Sequence, residues 1–413
     1  MPSVGARNEW IYNVLLTVFV VLLCLLLGEL ALRQWFPLDT VVLQADSRYL
    51  YKFIPNSRQL IRPVTASGAP TVLITVNSQG RRGELLEKDQ KHRVMVYGDS
   101  FIAGLNTPLK QTFVSQLEQL LTAKFPQPVH VINAGVPGYG PDQESLVMED
   151  EIDSIRPNVI VFALYSGNDF GDLVRDKLFQ LDERQRLIPN HPVLDPSLVQ
   201  GFEKAYRQQP TFQIIRRAKN LLGTLRFAEH PPAAQDAYLK SSRELLEAWL
   251  VQCQKEYANY VLEYDNQVHN LFEDAYDVDI STAPQSDSAR YKVALMERMI
   301  ERIQGIAAKR SIPLIFLIIP SPIDVLDQWD MSIDANRFPE YRRSTLTGTL
   351  ERIVRDRNFY YLNLFEPFRT HQAENLFYHG LDDHWNATGE RLAATLMVDY
   401  ISRNEALRSA LTQ

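Results

Sequence analysis

Cysteine and basic charge are both scarce in this 413-residue chain. Its 2 cysteines are Cys24, in an apolar N-terminal run, and Cys253, far along the chain, so no disulfide framework can hold the fold. The 43 lysines and arginines are outnumbered by 50 aspartates and glutamates, which gives a net charge of -7. Since no basic stripe interleaved with aromatic residues offsets that charge, the sequence argues against a nucleic-acid partner.

Four common signatures of catalytic and cofactor sites are also missing. The sequence has no G-x-S-x-G elbow, no phosphate-binding G-K-[ST] loop, no H-E-x-x-H zinc motif and no paired C-x-x-C. We therefore expect neither a metal nor a nucleotide cofactor.

A long apolar run is present near the N-terminus. Val14 to Leu32 is almost wholly apolar, and about twenty such residues are what a helix needs to cross a membrane. Trp10, Tyr12 and Trp35 flank the run, as interfacial aromatic residues do. A cleaved signal peptide is the alternative, but no A-x-A site follows the run. We predict an uncleaved membrane anchor over residues 1–36, with the rest of the chain in the periplasm or outside the cell.

Three further regions follow the anchor. Residues 37–92 are rich in proline and polar residues and contain one clear strand, Thr71 to Val76, which predicts a linker and a small β module. Strands and helices then alternate over 93–413, as in a doubly wound α/β domain. A charged and aromatic stretch of helical periodicity interrupts them at about 170–289, so we predict a helical insertion there.

The alternating region predicts five parallel strands. One of them is continuously apolar, as a central parallel strand is. The predicted strands are Arg93–Tyr97, Val129–Asn133, Asn158–Tyr165 (the apolar one), Pro313–Ile319 and Tyr360–Leu364.

Small and polar residues follow the first three strands. Ser100 ends the sequence Gly98-Asp99-Ser100, Gly138 lies in a glycine-rich loop and Asn168 lies in a polar turn. Because the carboxyl ends of parallel strands meet at one edge of a sheet, we expect these residues to lie close together. Ser100 would be a nucleophile, and the backbone N–H groups of Ser100 and Gly138 and the side-chain amide of Asn168 would surround an oxyanion. An ordinary Asp/Ser turn that caps a helix is the alternative for Ser100.

One of the eight histidines has a setting that suits a general base. His384 lies in the sequence G-L-D-D-H-W-N, after the fifth strand and before the last helix. It would deprotonate Ser100, and Asp382 would orient the imidazole. An N-cap cluster is the alternative, because Asp-His before a helix is common for that reason too.

The order of these blocks resembles that of SGNH hydrolases, also called the GDSL esterase/lipase superfamily. The resemblance covers about residues 93–165 and 291–401, so it leaves the anchor, the β module and the insertion unexplained. It implies a flavodoxin-like sheet and esterase or acyltransferase chemistry. The family residues that it implies are Ser100, Gly138, Asn168 and His384.

The acid of the triad departs from the commonest pattern of this superfamily. That pattern has aspartate three residues before the histidine, where this chain has Leu381. The D-x-H-W form resembles the alginate O-acetylation proteins of the same superfamily, which favours Asp382. Asp383 remains the alternative.

The anchor and the blocks together predict a membrane-anchored serine esterase that acts on O-acyl esters. The expected substrate is an acylated small molecule or polysaccharide, with polysaccharide acetyl groups favoured. A polysaccharide O-acetyltransferase with the same triad, a lipid acyl hydrolase and a non-catalytic glycan-binding protein are the alternatives. The sequence does not indicate an oligomeric state.

Overall fold

The computed structural model describes most of the chain. The described residues are 4–35, 42–61, 68–86, 91–207, 214–215, 241–272, 275–327, 329, 331, 333–371, 373–379 and 382–412. Leu381 and parts of the predicted linker and insertion lie outside these ranges.

The described residues form strands and helices in the following order along the chain. The strands are β1 (Leu43–Asp46), β2 (Leu50–Phe53), β3 (Arg58–Ile61), β4 (Val72–Thr75), β5 (His92–Tyr97), β6 (Val129–Asn133), β7 (Val159–Tyr165), β8 (Phe179–Leu181), β9 (Leu187–Pro189), β10 (Val193–Leu194), β11 (Gln267–Val268), β12 (Leu314–Ile319) and β13 (Tyr360–Asn363). The helices are α1 (Val4–Trp35), α2 (Ser100–Ala103), α3 (Phe113–Lys124), α4 (Pro141–Ile155), α5 (Asp169–Asp176), α6 (Pro196–Arg207), α7 (Ser241–Glu256), α8 (Val278–Thr282), α9 (Asp287–Ala308), α10 (Pro322–Val325), α11 (Thr345–Arg355), α12 (Phe365–Thr370), α13 (Ala387–Arg403) and α14 (Glu405–Ala410). Short 3-10 helices span Leu109–Gln111 and Ala373–Asn375, and a π helix spans Tyr257–Leu262.

Helix α1 is long and apolar enough to cross a membrane. Its 27-residue segment Glu9–Trp35 meets both criteria, and only 6% of the most apolar part is buried inside the protein, unlike a core helix. Near its end, Glu29 is buried, accepts a hydrogen bond from the N–H of Ile214 at 3.1 Å and pairs with Arg33 at 2.7 Å. This end of α1 therefore packs against the rest of the protein.

The five long parallel strands form one sheet, in the order β13-β12-β7-β5-β6. Numbered along the chain from β5, this is the 2-1-3-4-5 order of flavodoxin-like sheets read from the β6 edge. Strands β7 and β12 are buried along their whole length, because helices cover both faces. The predicted five-stranded α/β fold is therefore confirmed.

Alternate residues of the strands enter two separate hydrophobic cores. On β5, Val94 and Val96 pack with α3 and α13, whereas Met95 and Tyr97 pack with α4, α9 and α11. The three-layer arrangement leaves the carboxyl edge of the sheet to loops.

The β module and the insertion contain more strands than the sequence indicates. In the module, β1 pairs with β2 and β3 with β4, both antiparallel, while only β4 was predicted, as Thr71–Val76. The described part of the insertion includes helices α6 and α7 and also two short strand pairs, β8 with β9 and β10 with β11. These strands are two to four residues long, too short for an alternating pattern to stand out.

Candidate active site

Ser100 is the first residue of α2 and follows β5 through a tight turn. A side chain has no room at Gly98, because an added Cβ would lie 2.2 Å from Cγ1 of Ile102. The Asp99 carboxylate accepts a hydrogen bond from the N–H of Phe101 at 2.9 Å and caps α2. This local structure holds Ser100, half-buried, at the carboxyl end of β5.

An arginine of the β module holds the other end of α2, and the sequence reasoning missed it. The guanidinium of Arg82 donates to the carbonyl oxygens of Ala103 at 2.9 Å and Thr107 at 2.6 Å, and also to that of Gly104. Burial lowers the pKa of Arg82 to about 10, which still leaves the side chain charged at neutral pH. Since helix ends leave carbonyl groups without internal partners, these bonds fix α2 to the module.

A cavity of about 550 Å³ opens beside Ser100. Its lining includes Ser100 after β5, Asn168 after β7, and Asp383 and His384 before α13. Loops from three places in the chain therefore meet at one edge of the sheet. The aromatic side chains on the wall, six in number, are Phe101, Tyr165, Trp249, Phe272, Tyr276 and Trp329.

Helix α7 of the insertion forms part of the cavity wall. Leu245, Ala248, Trp249 and Gln252 line the cavity, and their spacing of three and four residues puts them on one helical face. The insertion thus bounds the space in which a substrate of Ser100 would lie.

The His384 ring is held by an acid on one side and an aromatic ring on the other. Its Nδ1 lies 2.8 Å from Oδ1 of Asp382, and the ring stacks on Phe101 with 4.9 Å between centroids. Burial acts to lower the pKa of His384, but the hydrogen bond to Asp382 and the charges of Asp383, Asp382 and Asp99 outweigh it and raise the pKa to about 9. The resting imidazole is therefore protonated at neutral pH.

Asp382 and Asp383 both approach His384 but differ in their partners. One oxygen of Asp382 contacts Nδ1, and the other accepts a hydrogen bond from the side-chain amide of Asn106 at 3.0 Å. The nearest oxygen of Asp383 is 3.4 Å from Nδ1, and its second oxygen accepts a bond from the Tyr165 hydroxyl at 2.6 Å. By distance Asp382 is the better hydrogen-bond partner of the imidazole.

The histidine loop is fixed by the residues that follow it. The buried Trp385 donates from its indole N–H to the carbonyl oxygen of Phe101 at 3.2 Å, which ties the loop to α2. Asn386 caps α13 by accepting from the N–H groups of Thr388 at 2.9 Å and Gly389 at 3.3 Å. The H-W-N sequence therefore orients His384 through its neighbours.

The two further oxyanion candidates lie in different positions relative to the cavity. Asn168 is buried, lies immediately before α5 and lines the cavity. Gly138 is not among the lining residues, but it lies next to one, since an added Cβ there would be 3.4 Å from the ring of Phe272. Its φ of +72° is one that glycine adopts readily, and the added Cβ would also lie 2.8 Å from the Tyr51 hydroxyl.

Two groups of side chains among the described residues could hold a metal ion. One is Asp382, Asp383 and His384, of which Asp382 and His384 already share a hydrogen bond. The other comprises Cys253, Asp277 and Asp279, of which the two aspartates already bind the buried ammonium group of Lys292 at 2.8 and 3.0 Å.

Comparison with known families identifies the central part of the chain. Residues 96–282 match the GDSL-like Lipase/Acylhydrolase family. The match supports an ester-hydrolysing enzyme of the GDSL/SGNH superfamily. It includes Ser100, Gly138 and Asn168 and ends before His384. No curated protein is similar enough to the chain to count as a match.

Several solved structures are similar to this chain at low identity. The lipase/acylhydrolase from Enterococcus faecalis is 13% identical, with a TM-score of 0.37 and coverage of 75% of this chain and 95% of that one. The acetyl xylan esterase AlAXEase is 12% identical, with a TM-score of 0.35 and coverage of 75% and 99%. The psychrotrophic esterase EstA from Pseudoalteromonas sp. is 11% identical, with a TM-score of 0.35 and coverage of 76% and 98%. Similarity at this level does not extend to substrate.

Proposed function

We propose that the protein is a membrane-anchored serine esterase that hydrolyses O-acyl esters, with O-acetyl groups on a polysaccharide as the favoured substrate. The triad is Ser100, His384 and Asp382, and the oxyanion donors are the N–H groups of Ser100 and Gly138 and the amide of Asn168. The observation that carries the proposal is that Ser100, Asn168 and His384, from three separate parts of the chain, line one cavity.

The chemistry assigned to these residues is acyl transfer through a covalent intermediate. His384 takes the proton of the Ser100 hydroxyl as its oxygen attacks the ester carbonyl, and the donors bind the negative charge that develops on the carbonyl oxygen. His384 then gives the proton to the leaving alcohol, which leaves an acyl group on Ser100. A water molecule, deprotonated in the same way, releases the acid and restores the serine.

The proposal is tested with Ser100→Ala in the full-length protein in detergent. The variant should lose turnover of p-nitrophenyl acetate and labelling by a fluorophosphonate, while its melting temperature stays close to that of the parent. Retained turnover would contradict the serine mechanism. A parent protein that neither turns over esters nor labels would instead indicate a binding protein.

The cavity wall supports the proposed substrate class, which is tested separately. The aromatic side chains of the wall, two of them tryptophans, offer flat apolar surfaces of the kind on which sugar rings stack. We expect release of free acetate from an acetylated polysaccharide. Acetyl transfer to an acceptor sugar would show an O-acetyltransferase instead.

A lipid acyl hydrolase is the second candidate, favoured by one observation. Phe272 lines the cavity and is 46% exposed, and α1 is apolar enough for a membrane, so an acyl chain could reach the site from a bilayer. A preference for long over short p-nitrophenyl esters would support this candidate.

The membrane attachment and its direction are part of the same proposal. With α1 as the anchor, the remainder of the chain is assigned to the periplasm or the cell exterior. The protein should stay with membranes after carbonate extraction, and protease added outside the inner membrane should digest it. Protection from that protease would reverse the orientation.

A further inference from the structure

A tyrosine of the β module contacts the loop that carries Gly138. Tyr51 lies on β2 and is 0% exposed, and its hydroxyl donates a hydrogen bond to the carbonyl oxygen of Pro137 at 2.8 Å. Pro137 and Gly138 share one peptide group, so this bond acts on the same rigid plane that contains the Gly138 N–H.

Because a trans peptide group is planar, the hydrogen bond from the Tyr51 hydroxyl also fixes the direction of the Gly138 N–H. None of the described peptide bonds is cis, and in a trans peptide the C=O and N–H bonds point in opposite directions. The bond from Tyr51 to the Pro137 oxygen therefore directs the Gly138 N–H away from Tyr51. Without that bond, the peptide plane can rotate about the flexible φ of Gly138, which is +72°.

Tyr51 is itself held in place by its neighbours. Its ring packs against Tyr139, Phe202 and Phe272, with centroids 5.2, 5.9 and 5.0 Å away. The Tyr139 hydroxyl donates to the carbonyl oxygen of Tyr51. The Tyr51 hydroxyl in turn donates to the carbonyl oxygen of Pro137, in the loop that also contains Tyr139. Phe272 also lines the Ser100 cavity, which places this aromatic cluster at the edge of the site.

We infer that Tyr51 is a positioning residue, which sets the direction of the Gly138 N–H as an oxyanion donor through its bond to the Pro137 carbonyl. The inference rests on the proposed function, in which Gly138 is such a donor. An oxyanion hole accelerates a reaction because its donors are oriented before charge develops. Tyr51 supplies that orientation from outside the sheet domain, so the β module is a functional part of the active site.

The test is Tyr51→Phe in the full-length protein, with Tyr341→Phe as the matched control. Each variant loses one buried tyrosine hydroxyl that donates a hydrogen bond, from Tyr51 to the Pro137 carbonyl and from Tyr341 to Asp324, and Tyr341 does not line the Ser100 cavity. Tyr51→Phe should lower kcat for p-nitrophenyl acetate by about tenfold and leave KM within about twofold, because an oxyanion donor acts mainly in the transition state. Inactivation by diethyl p-nitrophenyl phosphate should slow by the same factor, because the attack of Ser100 on this ester forms a similar oxyanion. Tyr341→Phe should keep kcat within about twofold of the parent.

The outcomes separate this inference from the proposed function. A selective fall in kcat for Tyr51→Phe, with parental melting behaviour, supports the inference. Equal losses in both variants would show a structural role only and overturn it, as would an unchanged kcat in Tyr51→Phe when Ser100→Ala is inactive. In either of these cases the serine mechanism stands. Turnover by Ser100→Ala would defeat the proposed function itself.

Discussion

Replacing the two acids beside His384 one at a time distinguishes their roles. In Asp382→Asn, the new amide would meet Nδ1 of the imidazole at the position where the carboxylate lies at 2.8 Å, and it would favour the wrong tautomer. We expect kcat to fall by about 10³-fold or more, the effect known for an orienting acid. In Asp383→Asn the 2.8 Å bond remains, so kcat at its optimum should fall by less than about tenfold.

The pH dependence follows from the charge around His384. A pKa of about 9, in place of the usual 6.5, corresponds to about 3 kcal/mol of preference for the imidazolium. With such a pKa about 1% of the free enzyme has a neutral imidazole at pH 7. Since a general base must be neutral, kcat/KM should rise about tenfold per pH unit from pH 6 to 8 and level off near 9. Asp383→Asn removes one of the charges that raise the pKa, so the rise should move to lower pH.

The raised pKa of His384 also makes the stability of the fold depend on pH in a defined direction. A histidine whose pKa is higher in the folded state stabilises the fold most below its unfolded pKa of 6.5, and this stabilisation is lost as the pH rises through about 9. Asp383→Asn should therefore lose more stability at pH 6 than at pH 10. Melting curves across this range measure the effect.

The assay is a pH–rate profile of p-nitrophenyl acetate hydrolysis, with the Ser100→Ala rate subtracted at each pH. A kcat/KM of the parent that levels off near pH 6.5 would contradict the raised pKa of His384. Equal losses of activity in Asp383→Asn and Asp382→Asn would contradict the different roles assigned to the two acids from their distances of 3.4 and 2.8 Å to Nδ1.

Three further variants test other parts of the structure. Asn168→Ala should lose about 10² to 10³ in kcat with little change in KM in steady-state kinetics, as for one oxyanion donor. Arg82→Met should lose roughly 3 kcal/mol or more in urea unfolding, because three buried carbonyl oxygens lose their donor. Asp324 accepts from the hydroxyls of Tyr276 and Tyr341, and burial raises its pKa to about 7, so its contribution to stability is lost as the pH rises from 3.8 through 7. Between pH 5 and pH 8, the melting temperature of Asp324→Asn should therefore fall less than that of the parent.

The sheet could be predicted from the sequence because its central strands are buried on both faces. Such strands require continuous apolar runs, and the runs over 158–165 and 313–319 match β7 and β12 to within one residue at each end. In the β module only β4 gave such a signal, as the run Thr71–Val76. The strands of the module are held by contacts with the sheet domain, such as the bond from Tyr51 to Pro137, 86 residues away. A local pattern does not report such contacts.

Site residues could be predicted from the sequence only where a side chain of suitable chemistry also lies in a segment that follows a predicted strand. Ser100, Asn168 and His384 meet both conditions, and the structure brings all three to one cavity. Their catalytic roles stay predictions. Asn106 and Tyr165 were missed because each supports an aspartate more than 200 positions away, at separations of 276 and 218 residues. Only folding reveals these pairs.

The adjacent aspartates have consequences for His384 that oppose each other. Asp382 uses one oxygen for Nδ1 and the other for Asn106, so its direction is fixed. Asp383 stands at 3.4 Å, beyond good hydrogen-bonding distance, and so acts mainly through its charge. In the proposed mechanism, that charge would stabilise the imidazolium formed when Ser100 loses its proton, but it also lowers the fraction of neutral base before the reaction. The reactivity of a general base rises less than proportionally as its pKa rises, so below the pKa the loss of neutral base outweighs the gain in reactivity. We therefore expect the carboxylate of Asp383 to favour catalysis only at alkaline pH.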